Sequence, residues 1–291
     1  MTDLSCPNCS EPLIDGLKKW HSYCRVCGYE SASLLPIINE SSVHESIDEA
    51  ARAQGLRAIR IANFEKLLSE LHSFKKNGKL LDVGCAHGWF LAVAAKSYKV
   101  VGVEPDRNIA ILAKKDGHEI RVGYFPDVLV ESEKFDVIIF NDVIEHIQDI
   151  RSTLESCRRH LNATGVLVLN LPSSNGIFYR LSKALSRLGL SSFFDRMWQV
   201  GLPSPHVHYF NPANLLNLLE SCQFTVSKVG YLDSLRSAGL YTRISYAKSD
   251  RNVLFRLALY TGVFLMLPLL RILPRDIFFV IAQVSTEKNP A

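Results

Sequence analysis

The stretch LLDVGCAHGWF, residues 80–90, decides the fold. Leu80 and Leu81 lead into Asp82 and then into glycines at 84 and 88, with Cys85, Ala86 and His87 between them. A glycine-bearing turn after an apolar strand lets the backbone approach a ligand at the strand's carboxyl end. Two further stretches share this build: KVVGVEPD (99–106), which carries Glu104, and FDVIIFNDVIEH (135–146). Strand signals at 79–83, 99–103, 119–122, 135–140 and 165–169 alternate with helix signals at 88–96, 106–116 and 149–161. That rhythm predicts an α/β fold built on an open, mainly parallel sheet.

The ligand is narrowed by the turn itself. The order Asp82, Gly84, Cys85, Gly88 departs from the dinucleotide fingerprint, which has no aspartate two residues before its first glycine. Such an acid suits an ammonium group better than a pyrophosphate. A Walker lysine is also missing. Glu104, at the end of the second strand, suits a ribose diol, because a carboxylate accepts from both hydroxyls. That feature alone serves NAD and other nucleosides equally.

Together LLDVGCAHGWF, VVGVEPD and FDVIIFNDVIEHIQD resemble the successive motifs of class I S-adenosylmethionine-dependent methyltransferases, over roughly residues 50–230. The resemblance implies a Rossmann-like seven-stranded sheet with a C-terminal antiparallel hairpin near 223–229 and 276–284. It implies S-adenosylmethionine as cofactor, with Asp82, Gly84, Cys85 and Gly88 forming the turn at its methionine part. Glu104 would hold the ribose, Phe125, Pro126 and Asp127 would flank adenine, and Asn141 and Val143 would lie under the methionine portion. Ala86 stands where the family often has glycine, and a negative φ is expected there. Cys85 reads as a small packed neighbour rather than a nucleophile. A binding module that has lost catalysis is the bland alternative.

With 47% apolar and 21% charged residues the 291-residue chain is a globular protein, and a net charge of +4 does not demand nucleic acid. MTDLSCPNCSEP carries no apolar h-region, so the expected location is cytoplasmic. Cys6, Cys9, Cys24 and Cys27 form two C-x2-C pairs, the set that tetrahedral zinc takes, and predict a ribbon held by structural Zn2+ over residues 1–38. His21 reads as a surface residue. Trp20, Lys18, Lys19 and Arg25 offer a weak polyanion contact. A ribbon followed by a methyltransferase also resembles bacterial ribosomal RNA guanine methyltransferases, although basic residues are sparse here. A linker at 39–48 and a helix to about Phe74 fill residues 39–75, and residues 76–291 make the main domain.

The acceptor is read from histidines and from two apolar segments. A hydroxyl acceptor benefits from a base near neutral pKa. His208 in PHVHYFNP (205–212) resembles a recurring histidine of related enzymes and is the first candidate. His146 is the second and His206 the third. Asn211 and Pro212 read as a helix start. No carboxylate and histidine cluster suggests a magnesium site. Within a cap at 173–210, residues 176–200 carry Phe178, Leu181, Leu185 and Leu188 opposite Arg180, Lys183 and Arg187. Within an insertion at 232–275, LALYTGVFLMLPLL (257–270) is uncharged and, at fourteen residues, too short for a confident span. Both segments predict peripheral contact with the inner face of a membrane, and a small or lipid-linked acceptor with a hydroxyl on a sugar or polyprenyl-derived compound. Layout alone resembles the ubiquinone-pathway O-methyltransferases.

Overall fold

A computed structural model describes residues 5–39, 49–237, 239–247, 252–270 and 272–285 of the protein. The expected linker lies, apart from residue 39, outside these described residues. In chain order the elements begin with β1 (Ile14–Asp15), β2 (His21–Tyr23), β3 (Glu30–Ala32), α1 (Glu49–Leu71), β4 (Gly78–Val83) and α2 (Trp89–Ala94). Next come β5 (Tyr98–Glu104), α3 (Arg107–Lys114), β6 (Glu119–Val122), β7 (Phe135–Asn141), a short 3-10 turn (Ile144–His146), α4 (Ile150–His160) and β8 (Leu161–Pro172). The chain continues through α5 (Ile177–Arg187), α6 (Ser192–Met197), β9 (His208–Tyr209), α7 (Pro212–Ser221) and β10 (Phe224–Leu232). It closes with α8 (Leu240–Ala247), α9 (Val253–Leu270) and β11 (Ile277–Val284).

The main sheet has seven strands in the order β10-β11-β8-β7-β4-β5-β6. β4 pairs parallel with β5 and β7, whereas β11 runs antiparallel between β8 and β10. β4 sits mid-sheet, and Leu80, Leu81 and Val83 are buried. Each such leucine contributes roughly 2 kcal/mol through burial. From β4 the chain winds outward through β5 to β6, then returns to place β7 on the other side of β4. The carboxyl ends of β4 and β7 therefore part at a switch point, where a crevice opens.

A second sheet of four strands, β1-β2-β3-β9, joins the cysteine-bearing segment to the main body. β9 belongs to the main domain, and Ser31 faces His208 in the register. The core confirms the union, for Cys6, Cys24 and Tyr29 belong to one buried cluster with Phe210, Leu215 and Leu218. The ribbon is thus packed as part of the molecule. Asn211 caps α7 through a reciprocal bond with Asn214, and Pro212 opens the helix.

Candidate active site

The turn after β4 has two glycines at positions that demand them. Gly84 has φ +71°, and a Cβ there would come within 2.6 Å of Val143. Gly88 has φ +73° and begins α2. Ala86 departs from the sequence expectation: its φ is +45°, in the left-handed region. The reason is that its N–H must turn inward, where it donates to Glu104 Oε2 at 2.9 Å. A left-handed alanine costs on the order of 1–2 kcal/mol, part of which glycine loses again to unfolded-state entropy. Ala86→Gly is therefore expected to raise stability by about 0.5–1 kcal/mol, read from urea unfolding midpoints at unchanged slope. An unchanged or lower midpoint would refute the strain.

Beside the turn lies a cavity of about 840 Å³. Gly84, Glu104, Phe125, Pro126, Asp127 and Val143 all line it, as read from the sequence. Asp82, Cys85, Gly88 and Asn141 are not among its lining residues. Asp82 is buried behind the turn and accepts from Asn141 Nδ2 at 3.3 Å. Cys85 packs among Leu91, Ala110, Ala113 and Ile120, and burial pushes its thiol upward, away from nucleophilic use. Glu104 accepts the Asp106 N–H at Oε1, 2.9 Å. Burial raises its carboxyl to about 7 against those two backbone donors. Burial likewise raises Asp82 to about 8, opposed by Asn141 and assisted by the Glu104 charge. Two desolvated carboxyls side by side make this wall receptive to a cation and to hydroxyl donors.

Residues 53–229, more than half of the chain, match the family described as a methyltransferase domain. The chain belongs to that family. A ubiquinone biosynthesis O-methyltransferase of Rhodopseudomonas palustris is 29% identical over 125 residues, covering 40% of this chain and 49% of the relative. The chain thus matches about half the length of that curated relative. Among solved structures, mycolic acid cyclopropane synthase CmaA1, complexed with SAH and CTAB, matches with TM-score 0.56 at 20% identity, over 78% of this chain and 85% of that one. The cyclopropane synthase MmaA2 from Mycobacterium tuberculosis matches with TM-score 0.55 at 17% identity, over 83% and 88%. At these identities the structural likeness shows the fold.

The family's cofactor, S-adenosylmethionine, fits the residues present. Each Glu104 oxygen uses one lone pair on a backbone N–H and retains another for a ribose hydroxyl. Phe125 would flank the base, and a bound cation would draw the raised Asp82 and Glu104 carboxyls back towards ionisation.

The three candidate histidines fall in different surroundings. His208 does not line the cavity, and both of its ring nitrogens are engaged. Nε2 donates to the Ile147 carbonyl at 2.8 Å, and Nδ1 accepts from the Tyr29 hydroxyl. Burial lowers its pKa to about 4. It is a neutral pin between ribbon and body. His206 is also buried away from the cavity, with Nε2 2.8 Å from Gln199 Nε2. His146 does line the cavity. Its Nδ1–H donates to the Pro205 carbonyl at 2.9 Å, so in the neutral ring Nε2 is the basic nitrogen.

Sequence reasoning missed Arg60, His87, Asp142 and Gln199, which line the cavity as well. Only Asp142 and His87 lay within quoted motifs. It also expected no carboxylate and histidine cluster, yet candidate ligand atoms of Glu145, His146 and His206 lie within 4.8 Å of one another. Folding brings β9's approach loop against the 3-10 turn, which sequence spacing does not show. His206 Nε2 lies 3.9 Å from Glu145 Oε1, wider than the roughly 3.3 Å between nitrogen and oxygen ligands of a tetrahedral ion. Burial holds the Glu145 carboxyl well above the usual range, aided by Asp142.

The four ribbon thiols converge. Cys6 and Cys27 Sγ are 3.5 Å apart, as are Cys9 and Cys24, and all four lie within 4.8 Å. Thiolates at ~2.3 Å from a tetrahedral zinc would be about 3.8 Å apart, so the set fits the ion. His21, expected at the surface, is buried. Its Nδ1 accepts from Leu17 N–H, and Nε2 therefore donates to Glu30 at 2.8 Å. Trp20 stacks on Phe194, and Lys18 lies 3.8 Å from Asp195, so two of the four suggested polyanion contacts are turned to the cap.

Proposed function

We propose that the protein transfers a methyl group from S-adenosylmethionine to a hydroxyl of a small or lipid-linked acceptor at a membrane surface, with zinc holding the ribbon. The observation that carries this reading is a single cavity lined by Glu104, Gly84 and His146. When bound, S-adenosylmethionine supplies an electrophilic methyl, whose carbon–sulfur bond breaks as the acceptor oxygen bonds to it. Glu104 and the Gly84 turn orient the donor, and His146 Nε2 takes the hydroxyl proton. The cap residues Gln199, Leu202 and Pro203 shield the reacting atoms from water.

Two surfaces support the membrane part. α9 is eighteen residues long, four more than the uncharged run, with mean hydropathy 2.0 and none of its residues buried. Among the described residues no core buries this helix, which supports an apolar surface as its partner. Leu254 and Leu265 are 77% and 72% exposed on a helix that, apart from Arg256, is apolar nearly all round, which a flat protein partner would cover only in part. At ~27 Å it approaches a bilayer core in length. Its flanking strands nevertheless start and end together, since Leu232 of β10 pairs with Ile277 of β11. This pairing favours a shallow dip of α9 into the lipid over a crossing.

α5 also exposes apolar side chains. Tyr179 and Ser182 face inward, whereas Leu181 and Leu188 are exposed. Lys183, read from the wheel as part of a free basic face, is instead bound to Glu30 at 2.7 Å. Phe193 and Val200 continue the exposed apolar surface to Gln199 at the cavity wall.

Incubating labelled S-adenosylmethionine with fractionated lipid and soluble extracts is expected to label an oxygen in a lipid-phase product. His146→Ala should lower kcat by about 10²–10⁴-fold and leave S-adenosylhomocysteine affinity unchanged. Leu254→Asp with Leu265→Asp should abolish flotation with anionic vesicles while sparing the fold. Label in RNA would overturn the acceptor class. Wild type that stays at the bottom of the gradient would remove the membrane, and a binding protein with no turnover on any fraction would remove catalysis.

A further inference from the structure

The chain leaving the ribbon does more than connect it. Residues 35–39 run across the cavity, and Pro36 and Ile38 line it. The Ile37 N–H donates to the Pro203 carbonyl at 2.8 Å, on the cap wall. Two residues later the strap reaches the opposite wall. Asn39 Nδ2 donates to the Pro105 carbonyl at 2.9 Å, and the Arg107 N–H donates to Asn39 Oδ1 at 3.2 Å. One side-chain amide therefore grips the backbone on both sides of Asp106. The Asp106 N–H is one of the two donors that orient Glu104.

Asn39 has φ +69°, a left-handed conformation that asparagine adopts more readily than most residues. This conformation is what aims the amide at the turn after β5. Asn39 is exposed, so no core packing explains its placement. At its other end the strap is anchored by the ribbon's buried hub. There Glu30 accepts from His21, from the Tyr179 hydroxyl at 2.8 Å and from Lys183 at 2.7 Å. The last two come from α5, so ribbon, cap and cofactor wall meet through five residues of chain.

We propose that Asn39 is a positioning residue for the cofactor, and that the strap 35–39 makes the ribbon a wall of the cofactor cavity. On this account the ribbon's task is to span the two walls of the pocket. Its consequence is direct: replacing Asn39, which does not line the cavity, slackens the strap and weakens nucleoside binding. The inference rests on the S-adenosylmethionine reading given above, and its zinc arm also rests on the zinc reading.

Calorimetry with S-adenosylhomocysteine on the full, metal-replete chain tests it. Asn39→Gly keeps the left-handed backbone and removes both amide bonds, so Kd is expected to rise about tenfold with zinc content and melting temperature unchanged. Asn39→Asp retains the acceptor for Arg107 N–H and should recover part of that loss. A second readout separates positioning from general loosening. The Asp106 N–H lowers the Glu104 carboxyl, so loosening its alignment in Asn39→Gly should move the midpoint of the affinity–pH curve upward. Wild-type affinity and an unmoved midpoint in Asn39→Gly would overturn the proposal and leave the strap a linker. Removing metal with a chelator should weaken binding at least as much. Unchanged binding in the stripped protein would sink the link from ribbon to pocket. Failure of wild type to bind at all would instead overturn the cofactor reading itself.

Discussion

Glu104→Ala is expected to weaken S-adenosylhomocysteine binding by about 100-fold or more, read by calorimetry on the folded protein. Two hydroxyl bonds to a carboxylate contribute about 1.5–3 kcal/mol each, and every 1.4 kcal/mol is tenfold. The loss should come without loss of fold. Burial holds the Glu104 carboxyl at about 7, above the ordinary 4.5, so ionising it costs the free protein stability. That contribution is fully present below about 4.5 and is lost as pH rises through 7. Wild type should therefore melt lower at pH 8 than at pH 5.5, and Glu104→Ala should flatten this slope, although Asp82 retains part of it. Ligand affinity runs the other way, falling in wild type as pH drops below 7, because the protonated acid has fewer acceptor sites for the ribose. A variant that binds as wild type does would remove Glu104 from the site.

Replacing Cys24 with serine carries the largest expected effect on stability. Cys24 is buried with Cys6 and Tyr29 in a cluster continuous with Phe210 and Leu215, so an unfolded ribbon exposes part of the main core. Structural zinc supplies on the order of 10 kcal/mol to small ribbons, more than the net stability of many domains. Wild type purified without added metal should hold about one zinc per chain by elemental analysis. Cys24→Ser should hold little and melt at least 10 °C lower, on the order of several kcal/mol at this size. The cap and strap would loosen with it, because β9 pairs with β3 and the strap begins where the ribbon ends. Full zinc content in the variant, or an unchanged melt, would refute the four-thiolate centre.

Much of this molecule was readable from local chain alone. Strand and helix positions rest on apolar periodicity over a few residues, and the expected strands at 79–83, 119–122 and 135–140 fall within one residue of β4, β6 and β7. The C-x2-C pairs and the turn from Asp82 to Gly88 are equally local, since their chemistry is set by spacing within one loop. Glu104 was legible because a parallel strand delivers its last residue to the ligand edge whatever surrounds it.

Side-chain partners were not legible, because a partner is chosen by packing between distant segments. His208 and His146 look alike in sequence. Tyr29, 179 residues away, engages one nitrogen of His208 and makes it a pin, while the fold lays His146 along the cavity. Lys183 belongs to a basic stripe on a helical wheel until Glu30 of the ribbon captures it. Ala86 shows no sign of a left-handed backbone until Glu104, from the neighbouring strand, draws in its N–H. The apolar run 257–270 carries no mark of whether a core will cover it, and none of its residues is buried among the described residues. Local covalent geometry and periodicity thus wrote the frame and the cofactor edge, while burial and long-range hydrogen bonding decided which of the three candidate histidines meets the cavity and what the ribbon holds.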